Sequence, residues 1–244
     1  MFKTSQVIAF KNAIESISTL VQDVNLIITP DSGISIREMD KTGKILVSVK
    51  FEKENFDSFT FTEKLVVGID LVALSKCLKC CCASDIVEVS FGGCTTVCFK
   101  YAKSTKTFTL KNLTIPVSDK VISPVFFDYK VCISSSIFNT WCKNLHANCE
   151  RVIMTTGPDS IVFAGSSDVG TIEFGLTVGR DLEIITSEDA NGAVSGCYDL
   201  KFFLLFSKCC GLSDDTIIFV KNDYPLVLQY TLQSLGELKL CLQL

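Results

Sequence analysis

Thirteen cysteines stand in the 244-residue chain, and two pairs have spacings that can do chemistry: Cys77-x-x-Cys80 and Cys94-x-x-x-Cys98. Thiolates spaced in the first way can share a tetrahedral zinc ion or exchange a disulfide, and the second pair would complete a four-sulfur set. Simple burial competes with that reading and is preferred. Cys77, Cys81 and Cys82 fall on one predicted helix and Cys94 and Cys98 in a predicted strand, where a small hydrophobe would also serve. The triplet Cys80-Cys81-Cys82 is required by no metal site. An odd number of cysteines behind a start that leads into an amphipathic stretch, with no secretory signal, argues against a disulfide framework. All thirteen therefore read as reduced thiols. The single His146 has no partner set for catalysis and reads as an exposed or capping helix residue. The sequence holds no phosphate-cradling glycine loop, metalloprotease helix or nucleophile elbow. No catalytic residue, metal or cofactor is expected, and the chain does not read as an enzyme.

A second chemistry lies in the lysines, which can neutralise a polyanion. The elements that position them come from hydrophobic periodicity. Val7 to Val21 reads as a helix, followed by strands at Leu26 to Ile28, Gly33 to Arg37 and Lys44 to Phe51. Asp70 stands before an apolar-periodic run, as a capping acceptor should, and that run predicts a helix through about Cys82. Strands follow at Ile86 to Phe91, Thr95 to Tyr101 and Lys106 to Leu113, with Gly92-Gly93 marking a hairpin. Two further helices are predicted near Ser135 to Cys149 and Asp199 to Gly211.

The two halves are related. Displaced by 129 positions, Asp70-Leu71 falls on Asp199-Leu200, Lys79-Cys80-Cys81 on Lys208-Cys209-Cys210, and Ser84-Asp85 on Ser213-Asp214. Pro30-Asp31-Ser32 falls on Pro158-Asp159-Ser160 at nearly the same displacement. A long period with two copies predicts two similar domains, not a solenoid. Residues 1–113 and 129–244 form the two halves. Residues 114–128, with Pro116 and Pro124, form a connector too apolar for an idle tether, since it carries Val121, Ile122, Val125, Phe126 and Phe127.

The net charge of −4 points away from nucleic acid until it is resolved by element. Lys11, Lys76, Lys79, Lys143, Lys201 and Lys208 stand on the four predicted helical spans against Glu15 and Asp199, about +4 there and −8 elsewhere. On the second helix Leu71, Leu74, Leu78 and Cys81 form one stripe, and Lys76 and Lys79 project from the other side. On the fourth, Lys201 and Lys208 share a face. Surface lysines are ordinary solubilising residues, but four helices jointly positive on an acidic chain predict one polyanion-facing surface. The 48% apolar content excludes disorder. No apolar run approaches the ~18 residues of a membrane helix.

These residues resemble the eukaryotic-type sliding clamps, the proliferating cell nuclear antigen family. The carriers are Met1-Phe2, Ser32-Gly33 followed by Met39-Asp40, Asn55-Phe56-Asp57, Ser75-Lys76-Cys77-Leu78-Lys79-Cys80, Tyr224-Pro225-Leu226-Val227 and Leu238-Lys239, in an order that spans essentially the whole chain. The resemblance implies an α+β DNA clamp fold with two similar domains, each of two β-α-β-β-β units, helices on one face of antiparallel sheets. It implies a homotrimeric ring around duplex DNA, used in DNA replication and repair as a polymerase processivity factor and placed on DNA by a separate clamp-loader ATPase. The expected location is inside the cell, in the nucleus or another site of DNA replication.

Residue by residue, the resemblance places Lys11, Lys76, Lys79, Lys143, Lys201 and Lys208 at DNA-facing positions. Thr140 stands where the family usually has an arginine, which thins the lining. Met39, Leu46, Val121, Ile122, Pro225 and Cys241 fall on an outer pocket for a partner peptide with a glutamine and two aromatics. Cys241 replaces an aromatic residue there, and the chain stops at Leu244, about where family members have a further tail. The strand Lys106 to Leu113, with Phe108 and Leu110, is expected to pair with Thr171 to Val178 of the next subunit, with Ile172, Phe174 and Leu176. The alternatives are a specialised clamp, either a checkpoint-type subunit or a monomeric viral processivity factor, and a cysteine-based zinc or thiol-redox protein.

Overall fold

The computed structural model describes residues 1–117 and 125–243. The chain divides into two compact units, one of residues 1–120 with 231–238 and one of residues 121–230 with 239–244. In the first unit the elements run β1 (Phe2–Thr4), α1 (Val7–Ser18), β2 (Asp23–Thr29), β3 (Gly33–Met39), β4 (Ile45–Glu52), β5 (Ser58–Phe59), β6 (Leu65–Asp70), α2 (Leu71–Leu78), β7 (Ile86–Phe91), β8 (Cys94–Tyr101) and β9 (Ser104–Lys111). The strands pair as two antiparallel sets, β5-β1-β7-β8-β9 and β6-β2-β3-β4.

The second unit repeats the plan with β10 (Tyr129–Ser134), α3 (Ser135–His146), β11 (Arg151–Thr156), β12 (Ser160–Ser167), β13 (Gly170–Thr177), β14 (Leu182–Thr186), β15 (Val194–Asp199), α4 (Leu200–Ser207), β16 (Asp215–Val220) and β17 (Leu226–Thr231). Its sets are β14-β10-β16-β17 and β13-β12-β11-β15. The last strand, β18 (Gly236–Leu242), begins in the first unit's residues and ends in the second's. The order strand, helix, three strands occurs four times. β5 and β14 are the additional strands, and each lies beside the first strand of its unit.

Period-2 and period-3.6 burial explain these elements. On α1 the residues Val7, Phe10, Ile14 and Ile17 are buried, one per turn. On β2 and β3, Val24, Leu26, Ile28, Ile34 and Ile36 point inward, while Ser35 and Arg37 alternate with them. The first core closes on Phe2, whose ring meets Phe10 at 5.7 Å and Phe56 at 4.8 Å. The second closes on Phe138, Phe163 and Phe203, with centroids 5.9 to 6.3 Å apart. Tyr230 is fully buried there, and its hydroxyl donates to the carbonyl of Phe206 at 3.0 Å.

Helix ends differ from expectation for local reasons. The Asp70 carboxylate accepts from the amides of Val72 (2.8 Å) and Ala73 (3.0 Å), the expected cap of α2. The helix then ends at Leu78, short of Cys82, because the chain tightens into i→i−3 bonds and the buried Asp85 carboxylate takes the Cys82 amide at 2.8 Å. Likewise α4 ends at Ser207 and gives way to a 3-10 turn at Cys210–Leu212. All thirteen thiols are free. Burial holds for Cys77, but Cys82 and Cys94 are exposed, Cys82 because it lies past the helix end.

Before the connector, the Leu113 amide donates to Gly68 at 2.8 Å, and a Cβ at Gly68 would run into the Leu113 carbonyl. The Asn25 amide group donates to the carbonyls of Ile115 and Pro116, each at 3.3 Å. At the connector's end, Phe127 packs on Phe219 at 5.3 Å and Tyr224 at 5.7 Å. Val121 and Ile122 lie outside the described residues.

Candidate nucleic-acid interface and docking surfaces

The six lysines stand on or just after helices, but their electrostatic states differ. In the first unit Lys11 is half-buried on α1, and Lys76 is exposed on α2. Lys79, just past α2, reaches across to α1 and pairs with Glu15 at 3.3 Å. In the second unit Lys201 pairs with Asp199 at 3.4 Å and lies 4.9 Å from the ring centroid of its neighbour Phe202. Asp199 also receives Arg151 at 3.6 Å and makes no capping bond to α4, unlike Asp70 at the matching place in the repeat. Its charge is shared between two cations instead. Among the described residues, Lys11, Lys76, Lys143 and Lys208 have no ion-pair partner.

Lys143 and Lys208 come together. A groove of about 720 Å³ runs between α3 and the end of α4, with Ser136, Asn139 and Lys143 on one wall and Ser207 and Lys208 on the other. These two ammonium groups, beside an amide and hydroxyls and with Asp214 as the one acid of the lining, form a surface suited to a phosphodiester backbone, which needs charge and donors but no base reading. Asn139 and Ser136 were not singled out from the sequence. Their one signal is position, four and seven residues before Lys143 on the same helix face. Thr140 is exposed and spends its hydroxyl on the Ser136 carbonyl at 2.8 Å, so it adds no charge.

β9 and β13 are edge strands. Among the described residues each pairs on one side only, with β8 and β12 respectively. Phe108 and Leu110 on β9, and Ile172, Phe174 and Leu176 on β13, are half-buried, each packed from its own unit. Phe108 meets Phe99 edge-on at 5.8 Å, and Phe174 stacks on Trp141 at 5.6 Å.

The residues expected on the outer pocket are placed as follows. Met39 ends β3 half-buried and pairs in register with Leu46 of β4, which is 6% exposed. Pro225 is half-buried just before β17. Cys241 on β18 is also 6% exposed, and burial pushes its thiol above the ordinary range.

Among the described residues no three His, Cys, Asp or Glu side chains converge as a metal set, and no helix is long and apolar enough to cross a membrane. Two units of one plan, each with two helices and two sets of antiparallel strands, define the DNA clamp fold. The profile described as "Proliferating cell nuclear antigen, N-terminal domain" matches residues 1–117, and "Proliferating cell nuclear antigen, C-terminal domain" matches residues 121–243. The chain belongs to the proliferating cell nuclear antigen family. Clamps of this family are non-enzymatic scaffolds of DNA replication and repair, and the chain is a sliding clamp of the processivity-factor type.

Proposed function

We propose that three copies of this chain close head to tail into a ring around duplex DNA and that the ring tethers a polymerase and other clamp-binding proteins without catalysing a reaction itself. The observation that carries the reading is the pairing of lysine-bearing helices with two unprotected sheet edges on an acidic chain. Long free edges are otherwise a liability, and β9 of one subunit against β13 of the next removes both. Phe108, Leu110, Ile172, Phe174 and Leu176 line that junction. Lys11, Lys76, Lys79, Lys143, Lys201 and Lys208 face the phosphates of the enclosed duplex. Such contacts are sequence-independent and salt-sensitive, so closure of the ring, not affinity, retains it on DNA.

By the family resemblance, Met39, Leu46, Val121, Ile122, Pro225 and Cys241 serve an outer apolar pocket for a partner peptide with a glutamine and two aromatics. Aromatic anchors in such a pocket concentrate binding energy in a small area. Opening the ring on DNA requires a separate loader ATPase, and the site of action is the nucleus or another compartment where DNA is copied.

Processive primer extension by the cognate polymerase on long primed DNA tests this reading. Products are expected to lengthen when the protein and its loader are added. Unchanged product length would sink it. Light scattering gives the assembly, and a strictly monomeric protein that still stimulates the polymerase would replace the ring with a monomeric processivity factor.

A further inference from the structure

The outer face of the β6-β2-β3-β4 sheet is mixed apolar and cationic. Its outward residues include Ile27 and Val66, paired across β2 and β6, and Met39 and Leu46, paired across β3 and β4. Val66 is 40% exposed and Met39 half-buried. Arg37 stands two residues before Met39 on that same face, opposite Ser48.

The turn that joins β3 to β4 adds two more cations on a rigid base. Asp40 holds it: one carboxylate oxygen accepts the amides of Lys44 (2.9 Å) and Ile45 (2.8 Å), the other the amide (3.1 Å) and hydroxyl (2.5 Å) of Thr42. The Asp40 amide in turn donates to Ile45 at 2.8 Å, and Gly43 turns the chain at φ +70°. Partial burial works against ionisation of Asp40, but these hydrogen bonds, the Thr42 hydroxyl foremost, hold its carboxyl below the usual range. Every residue from Lys41 to Lys44 is exposed.

The acids of the hairpin are already engaged. Asp40 is saturated by the turn, Glu38 accepts the Met39 amide at 3.2 Å, and Glu52 pairs with Lys50 at 3.1 Å. Lys41 reaches only the neutral Gln22, at 3.5 Å, and among the described residues Arg37, Lys41 and Lys44 have no ion-pair partner. Three cations without an ion-pair partner among the described residues therefore stand on the strand and turn that carry Met39, on a chain of net charge −4.

We propose that this hairpin is a charge-selecting rim, and that peptides docked beside it carry aspartate or glutamate next to their aromatic anchors. The inference rests on the outer-pocket reading above. The fit is to an acidic peptide and not to nucleic acid, because the same sheet face carries Met39 and the exposed Val66, apolar side chains for which a phosphodiester backbone has no use. A rim of this kind sets partner choice and encounter rate more than total affinity.

The test is fluorescence anisotropy with three labelled peptides that share a glutamine and two aromatics and differ only in flanks of aspartate/glutamate, serine or lysine. Each is titrated with the full chain and with Lys41→Glu/Lys44→Glu, whose two positions are exposed and outside the core. At low salt the acidic-flanked peptide is expected to bind roughly 3- to 10-fold tighter than the serine-flanked one, and the margin to shrink at high salt. In the variant the order inverts in favour of the lysine flanks. Equal binding of all three peptides, or an order the variant leaves unchanged, overturns the rim and leaves the pocket standing. Loss of duplex DNA affinity in the variant with peptide preference intact also overturns it. If none of the peptides binds, the pocket reading itself fails and takes the rim with it.

Discussion

The indole of Trp141 stacks on the ring of Phe174, with centroids 5.6 Å and planes 19° apart. The contact ties α3 to the edge strand β13, so the helix that carries Lys143 and the edge proposed to meet the next subunit are mechanically joined. Trp141 is the one tryptophan of the chain and reports on that edge. Phe174→Ala is expected to remove about 0.5 to 1.5 kcal/mol of ring pairing beyond lost burial. Two measurements check it: a shift in tryptophan emission, and a fall in molar mass by light scattering as β13 loses its support. A shifted emission with unchanged mass would place the subunit edge elsewhere.

The lysines are not equivalent. Lys79 and Lys201 already have carboxylate partners, whereas Lys143 and Lys208 face one groove without any. For DNA binding, Lys143→Ala with Lys208→Ala is expected to lower the slope of log K against log salt by about 0.9 per lost phosphate contact. Lys79→Ala with Lys201→Ala is expected to change it by less, since each lysine must leave its carboxylate to meet a phosphate. Binding titrations across a salt series on linear duplex DNA, whose ends let a closed ring thread on, measure both. Equal slopes in the two double variants would show that ion pairing within the protein does not rank these residues.

Asp70 and Asp199 occupy matching positions in the duplication, yet only Asp70 caps its helix. Asp70→Ala is expected to cost about 1 kcal/mol, some 2 to 4 °C in Tm for a chain of this length. Asp199→Ala removes two exposed ion pairs and no cap, so a smaller loss is expected, one that high salt abolishes. Thermal melts at two salt concentrations separate the cases.

That contrast marks what the sequence carries. The repeat and the helix and strand types are legible because apolar periodicity and local capping act over a few residues, whereas an edge strand alternates like an inner one and is marked only by the family resemblance. What Asp199 does is decided by Arg151, 48 positions away, and no local pattern shows it. The same holds for Glu15 with Lys79, and for the groove where Asn139 joins Lys208. Periodicity carries α2 past its true end because Cys80, Cys81 and Cys82 continue an apolar run, while the competing acceptor for the Cys82 amide is the buried Asp85. Periodicity puts the lysines on or just after helices, but their pairing states depend on contacts between helices.

Thiol reactivity should follow the burial pattern and not the sequence spacing. Cys80, Cys82, Cys94 and Cys197 are exposed, whereas Cys142 and Cys209 are buried. Burial pushes the Cys209 thiol up to about 12 and also raises Cys142, so neither supplies thiolate near neutral pH. Limited alkylation followed by peptide mass spectrometry is expected to label the first four within minutes and the last two only on unfolding. Labelling of Cys209 at a rate close to that of Cys80 in the native protein would contradict the packing of α4.

Glu88 gives the chain a salt- and pH-dependent contribution to stability. Its carboxylate lies 2.9 Å from Lys100 and 3.0 Å from Lys3, joining β1, β7 and β8 from the sheet surface. Hydrogen bonds from Lys100, then from Lys3, hold its carboxyl below the usual range, against a smaller opposing effect of burial. In the unfolded chain the group titrates near the ordinary ~4.3. Because the folded value is the lower of the two, the stabilisation is fully present above the unfolded value and is lost as pH falls through the folded one. Urea midpoints of the native chain and of Glu88→Gln are therefore expected to differ at pH 7 in low salt and to converge as pH drops below 4. Salt should also narrow the gap at pH 7, because both lysines are partly exposed. A gap that persists unchanged at pH 3 would mean that Glu88 acts through packing and not through its charge.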